Sequence, residues 1–583
     1  MSPLEPSWKR RRLRAPYEEG EVLAIPPLAG MPATIAQNRE QIAQWNMQVL
    51  GRPLAELRRL AREETLKAAA RFVGQLFNLP VKPWQVENLP HVPLIVSGHQ
   101  PELFHPGVWA KNFLLNDLAK STGGIGLHLI VDNDAITSTS IAVPVGTREQ
   151  PRIEHIPFDT DATSVPWEEA QLRDERLFRS FPGRVTAALS CWPIDPMLPT
   201  IWPAAIARLT NAVAQPRPRL FELLSIVRHE AERRAGLSPL ELPISQLCET
   251  ESFAWFACSL LSDPRRTHSV YNEVVAEYRR INRVRNRQRP VPDLSIRANG
   301  NWLEFPFWIW QSGDSQRSRL FVRQTTNEIQ LANGETVIAS LPHPFSGAAE
   351  SAVTQLRALS SRGWKLRPRA LTTTLFARVF LADAFLHGIG GAKYDEMTDR
   401  LIARLFGVTP PRYLTVTATH RLPLGGWNVT PSDISALKHR RWDFDHNPER
   451  YATGEPEGVS PRTRDESQHV RGLTPTGSLN THGKEPLLAE FAEFLAEKQR
   501  LIADQQTQEA LDRRDPLRTS RLKNDQRRLR FRSLNRSLAT LASETRSALM
   551  AELQTAQAKL AANAVLQSRE FSFCLFQKTA SRN

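Results

Sequence analysis

One short stretch constrains this chain more than any other. Val92-Pro93-Leu94-Ile95-Val96 is a continuous apolar run that closes on Ser97-Gly98-His99-Gln100. An apolar run of that length, ended by a glycine turn, reads as a strand buried on both faces. Helical spacing follows over Val108 to Leu118, and then a second run, Leu127-His128-Leu129-Ile130-Val131, ends at Asp132-Asn133-Asp134. Two short strands flanking a single helix make a βαβ unit, so the expected class is α/β with a parallel-sheet core.

The remaining chain surrounds that unit with other patterns. At 583 residues it has room for roughly three to four domain-sized units. Residues 1–84 read as a basic tip (Lys9 to Arg14) and a helical hairpin over Ile35–Leu50 and Pro53–Leu76. Residues 85–425 form the core, with helical and β inserts at about 165–345. There Trp302–Trp308, Ser318–Arg323 and the Asn333-Gly334 turn suggest a meander, and Ser269–Arg289 a helix dense in arginine. Leu371 to Ile389 reads as a buried helix because Arg378 and Asp383 interrupt an otherwise apolar window. Residues 426–483 connect, with a Gly-, Pro- and Ser-rich loop from about 454. Residues 484–566 carry sparse apolar stripes suited to a coiled-coil arm turning near Pro516. Residues 567–583 include Glu570–Phe576, read as a strand, and a tail.

Composition narrows the partners. Lys plus Arg number 75 against 61 Asp plus Glu, a formal charge of +14, which favours phosphates, nucleic acids or acidic small molecules. The four cysteines show no paired spacing, so neither a disulfide framework nor a thiolate zinc site is expected, and a reducing cytoplasm fits. The basic N-terminus lacks a following apolar segment, and no window reads as a membrane span.

In open α/β sheets, ligands gather beyond the carboxyl ends of strands, and two polar clusters fall there. After the first strand come Ser97, Gly98, His99, Gln100, His105 and Lys111. Gly98 permits a tight turn, the histidines supply groups that titrate near neutrality, and Lys111 offers a point charge to a phosphate. After the second strand, Asp132 and Asp134 offer carboxylates for an amine, a magnesium ion or a proton. A metal site built from these histidines and aspartates is the lesser reading, because their spacing matches no helical or hairpin ligand pair.

At these residues the chain resembles the bacillithiol biosynthesis cysteine-adding enzyme family. That family's pattern is a Thr-Gly-Gln-Gln turn, a Gly-Pro-Leu-Tyr stretch and a strand ending in Glu-Asp-His-Asp. The similar positions are Ser97 to Gln100, Pro106 to Trp109 and Asp132 to Asp134. Leu366 to Ala370 resembles the family's Arg-Pro segment, and Ala384 to Tyr394 its glycine-rich segment. His99, Asn133 and Gly391 stand where the family has Gln, His and Glu. The resemblance implies a Rossmann-like, nucleotidyltransferase-type core, a helical connecting domain and a C-terminal antiparallel coiled-coil arm. It also implies a ligase that joins cysteine to the amine of an amino-sugar acceptor. Amide formation from a free acid needs activation, so ATP or another activated donor, with magnesium accompanying it, is expected from the chemistry. His99, His105, Asp132 and Asp134 would handle protons and the amine. Ser97, Gly98, Gln100, Lys111, Gly388, Gly390, Gly391, Lys393 and Tyr394 would hold the donor, and a homodimer is the candidate assembly.

A second class stays open. From Arg513 to Arg536 the arm is strongly basic, so a nucleic-acid-binding protein, or a non-catalytic nucleotide-binding relative, is the alternative. The plain reading of such a charge run is a solvated helix face.

Overall fold

A computed structural model describes residues 13–77, 92–211, 217–297, 301–334, 336–343, 347–451, 485–512 and 521–577. The polar loop from about 454 to 483, the turn near Pro516 and most of the basic tip lie outside them. The chain divides into two compact units: one of residues 1–146, 152–424 and 567–583, the other of residues 147–151 and 425–566.

The first unit is mixed α/β and is organised by a six-stranded sheet. Its strands are β1 (Val22–Ile25), β4 (Leu94–His99), β5 (Ile125–Ile130), β8 (Leu240–Pro243), β14 (Ala384–His387) and β15 (Leu414–Ala418). Their order across the sheet is β1-β15-β14-β4-β5-β8. β15, β14, β4, β5 and β8 run parallel, and β1 closes one edge antiparallel. Counting the parallel strands along the chain gives the spatial order 3-2-1-4-5, with the direction of travel reversing between β4 and β14. Leu94, Ile95 and Val96 are all fully buried, as a strand covered on both faces requires. On one face Ile95, Leu386 and Leu414 meet Met31 and Ile35 of the helix Met31–Ala43 and Leu115 and Leu118 of the helix Pro106–Ser121.

The second sheet is an antiparallel meander: β9 (Leu303–Gln311), β10 (Ser318–Gln324), β11 (Glu328–Asn333), β12 (Thr336–Pro342) and β13 (Trp364–Pro368), in the order β12-β11-β10-β9-β13. Gly334, with φ +59°, turns the β11–β12 hairpin as the Asn-Gly pair suggested. Two small pairs complete the strands, β2 (Gln48–Val49) with β3 (Arg52–Pro53) and β6 (Ser140–Gly146) with β7 (Pro151–Pro157).

Several elements differ from the sequence reading. The arginine-dense helix read over Ser269–Arg289 runs over Pro264–Asn282 and stops where Arg283 turns to φ +56°, and the first helix of the N-terminal hairpin ends at Ala43, ahead of the short β2–β3 pair. The window Leu371–Ile389 is not one helix. It is a helix (Ala370–Phe376), a π-turn (Ala377–Leu381) and the central strand β14. Period cannot separate a buried helix from a buried strand in an all-apolar run. Asp383 marks the break: its carboxylate accepts from Arg62 at 3.1 Å and from the Leu94 amide at 2.8 Å, which seats it at the start of β4. The C-terminal Glu570–Phe576 segment is likewise no strand, since its regular part is the 3-10 turn Phe573–Leu575. Phe571, Phe573, Cys574 and Leu575 are all buried, so the alternation of a one-sided strand is missing. Its amide and carbonyl bonds go singly to Phe104 and Met197.

The second unit is helical, with helices Pro431–His446, Glu485–Asp512, Arg521–Leu541 and Ser543–Leu566. The helix bearing Glu490, Glu493, Glu497 and Asp504 packs against the one bearing Arg527, Arg528, Arg530, Arg532 and Arg536. Arg530 meets Glu497 at 2.7 Å. Trp427 lies beneath the Arg148 guanidinium, 4.0 Å from its ring centre, while Lys559 stands 4.9 Å from that ring. Among the described residues no helix is long and apolar enough to cross a membrane.

Candidate functional site

The parallel strands carry their carboxyl ends to one rim, and the two polar clusters sit on it. Ser97 lies inside β4, where its hydroxyl donates to the Leu386 carbonyl of β14 at 3.1 Å. Gly98 is demanded by the neighbouring strand, because a Cβ there would stand 3.0 Å from the Leu129 carbonyl oxygen. The helix Pro106–Ser121 then begins, with His105 as its cap. Trp109 and Asn112 on that helix both donate to Glu232. Glu232 in turn pairs with the buried Arg228 at 3.0 Å, which fixes the helix in rotation.

That rotation carries Lys111 back over the turn it follows. The side chain is 3% exposed, and its ammonium donates to the Gly98 carbonyl at 2.9 Å. No carboxylate stands within ion-pair distance of it among the described residues. Burial pushes its pKa down to about 8. Lys498 in the helical unit, the other deeply buried lysine among the described residues, is built in the ordinary way, with both oxygens of Glu449 at 2.7–2.8 Å. Gly388 caps the helix Ile389–Leu401 that follows β14, and a Cβ on it would come within 4.0 Å of the Lys111 side chain. Lys111 therefore lies between the ends of β4 and β14, where the strand order reverses. The free amides at the start of Ile389–Leu401 add a partial positive charge there.

Beside this crevice opens a cavity of about 350 Å³ whose lining includes His99, Glu102, His105, Ser138, Glu570 and Ser572. Nδ1 of His99 contacts the Gln100 carbonyl at 3.2 Å. A carbonyl only accepts, so Nδ1 bears the proton and Nε2 the lone pair. Burial, reinforced by Lys111, brings the His99 pKa down to about 3. The ring is neutral at physiological pH, so it can accept a hydrogen bond but is a poor base.

The second cluster divides. Asp134 stays at the rim, accepting from Gln100 Nε2 at 2.9 Å and pairing with Arg317 at 2.9 Å. Asp132 turns inward: it is fully buried and accepts from the amide and hydroxyl of Ser245. Burial and the neighbouring Glu168 raise its pKa to about 7. Asn133 donates to the Pro368 carbonyl at 2.9 Å, which ties the turn to β13.

The glycine stretch divides too. Gly391 gives room to His387, onto whose Nδ1 a Cβ would fall, whereas nothing lies within 4 Å of a Cβ on Gly390. Lys393 is exposed and Tyr394 half-buried further along the helix. His387 contacts Asp395 at 2.7 Å, and Asp395 pairs with buried Arg378 at 3.0 Å. This charged brace under the helix was not singled out from sequence, although His387 and Asp395 are eight positions apart. Glu102, Glu570 and Ser572 were also missed. No local pattern could bring the C-terminal segment to the first strand's turn. Among the described residues no group of three or more His, Cys, Asp or Glu side chains is placed to hold a metal ion.

No family model matches the chain, and no curated protein matches it.

Proposed function

We propose that this protein is a carbon–nitrogen ligase resembling the bacillithiol biosynthesis cysteine-adding enzyme family. In this reading the six-stranded sheet is a Rossmann-like, nucleotidyltransferase-type core. The helical unit supplies the connecting segment and an antiparallel coiled-coil arm. The reaction joins the carboxyl of cysteine to the amine of a small amino-sugar acceptor in a reducing cytoplasm.

The single observation that carries the proposal is Lys111, an ammonium buried at the strand-order reversal with no carboxylate at ion-pair distance among the described residues. An uncompensated buried charge costs several kcal/mol, a cost that is offset when an anion arrives. The helix start at Gly388 would share that anion. The residues therefore fit the phosphate of ATP or of another activated donor, with magnesium carried by the nucleotide. Such a donor, when bound, supplies the leaving group that a free carboxylate lacks. Lys111 would hold the negative charge and Gly98 would let the backbone approach. His99 would accept a hydrogen bond through Nε2, and Asp134 would fix Gln100 at the rim.

The test is a product search by mass spectrometry after incubation with ATP, cysteine and glucosaminyl-malate. Support would be an adduct of the two substrates less one water, formed by the natural protein and lost in Lys111→Met. No adduct with either nucleotide or pre-activated cysteine would sink the reading. The nucleic-acid alternative draws on the basic helix Arg521–Leu541, and the acidic helix packed beside it counts against that use.

A further inference from the structure

The arginine-dense segment seen in the sequence takes no part in the site above. From Arg279 to Pro292 the chain carries six arginines and no lysine, aspartate or glutamate. The helix Pro264–Asn282 ends as Arg283 turns into the left-handed region, and the chain then doubles back along the helix it has left.

One guanidinium sews that return in place. Arg279, with its side chain 11% exposed, donates to the carbonyls of Arg287, of Arg289 at 2.9 Å and of Val291 at 2.6 Å, and pairs with Asp293 at 2.7 Å. Further on, Asn272 of the helix bonds both the amide and the carbonyl of Leu294, at 2.8 and 2.9 Å. The Arg289 amide closes a turn on the Asn286 carbonyl at 3.1 Å, and the Gln288 amide donates to Asn286 Oδ1 at 2.9 Å. A planar fork that meets three carbonyls holds the loop in one shape, so the outward side chains are placed before a partner arrives.

Those side chains are positive and unanswered. Arg280, Arg283, Arg285, Arg287 and Arg289 are all exposed, and among the described residues no carboxylate stands within ion-pair distance of any of them. The acids nearby are engaged: Asp293 holds Arg279, Glu277 meets Arg404 at 2.9 Å, and Glu273 accepts from Ser269 at 2.7 Å. Surface arginines elsewhere are paired, as where Arg233 and Arg234 share Glu230 at 3.0 and 2.7 Å. A guanidinium keeps its charge at any physiological pH, and its fork matches two phosphate oxygens at once.

The loop's other exposed side chains, Asn286 and Gln288, are polar. It exposes no aromatic ring on which an unpaired base would stack, and no apolar wedge to enter a lipid surface. The next large apolar side chain that is exposed, Ile296, lies past the Leu294 anchor. What remains is a row of phosphate contacts, which is how a double helix is held by its backbone.

We propose that Arg280 and the loop Arg283–Pro292 form a docking surface for the phosphate backbone of double-helical nucleic acid. The surface shares no residue with the Lys111 site and does not rest on the ligase reading. It also differs from the basic helix Arg521–Leu541, where Glu497 already answers Arg530.

The experiment titrates the full chain into short labelled DNA and RNA duplexes of mixed sequence, read by fluorescence anisotropy over a series of salt concentrations. Binding to at least one duplex should be saturable, and log affinity should fall against log salt with a slope of about −4 to −5, as five phosphate contacts require. Replacing Arg285, Arg287 and Arg289 together by Gln should weaken binding at least roughly tenfold and make the slope shallower by about 2 to 3. Replacing Arg527, Arg528 and Arg532 together by Gln removes the same charge elsewhere and should leave the slope as it was. Thermal melts of both triple variants should match the natural protein. Equal losses in the two variants would mean that net charge alone attracts the duplex, and would overturn the proposal. So would the absence of saturable binding, an unchanged slope in the loop variant, tighter binding of a single strand than of either duplex, or loop-dependent binding to phosphatidylserine vesicles in place of the duplexes.

Discussion

The ammonium of Lys111 donates to the carbonyl of Gly98 at 2.9 Å, folding one helix back onto the turn that precedes it. With no acid at ion-pair distance among the described residues, this pair holds a positive charge in the interior at the point where the sheet reverses its strand order. The arrangement costs stability, which gives the first prediction.

An unfolded lysine titrates near 10.5, and burial brings Lys111 to about 8. Between those values the unfolded chain holds more protons, so stability rises with pH across that window. Below about 8 the folded protein bears the whole cost of the buried charge. Lys111→Met is therefore expected to stabilise the protein at pH 7 by on the order of 2 kcal/mol, read by urea denaturation. A destabilised variant would mean that the ammonium is compensated after all.

Asp132 runs through the opposite window. Burial and Glu168 raise its pKa from 3.8 to about 7, so the folded state holds the extra proton between those values. Its contribution is complete below about pH 4 and is lost as pH rises toward 7. Asp132→Asn should remove that loss. The stability difference between variant and natural protein should grow from pH 4 to 7 and reach roughly 2 kcal/mol in the variant's favour. A difference independent of pH would refute the buried-acid assignment.

Two neighbouring glycines should answer alanine differently. At Gly391 a Cβ falls on His387, so Gly391→Ala should cost about 1–3 kcal/mol through overpacking. At Gly390 a Cβ meets nothing within 4 Å, and Gly390→Ala should be neutral or stabilise the helix by up to about 1 kcal/mol. Thermal melts of the two variants check this, and equal losses would contradict it.

Local pattern carried the first part of the fold well. Leu94–Val96 and Leu127–Ile130 show their strands because every residue in them is buried, and Asn333-Gly334 shows its hairpin because few residue pairs suit that turn. β14 was hidden because Ala384–His387 sits in an apolar window that suits a helix equally. At the site, Gly98, His99 and Lys111 were legible from their place after a strand. The place of Glu570 on the cavity was not, because it depends on Phe573 docking against Trp109 and Phe104 from the far end of the chain. The basic run near Arg530 reads in the sequence as a solvated helix face, and the acidic helix that Arg530 meets through Glu497 is not legible there because the pairing spans 33 residues.

The most direct test of the central claim is phosphorus NMR of ATP titrated with the full-length protein and with Lys111→Met. Saturable broadening of the phosphate resonances is expected with the natural protein and its loss in the variant, whose fold is kept. Phosphate signals that respond equally to both proteins, or to neither, would contradict it.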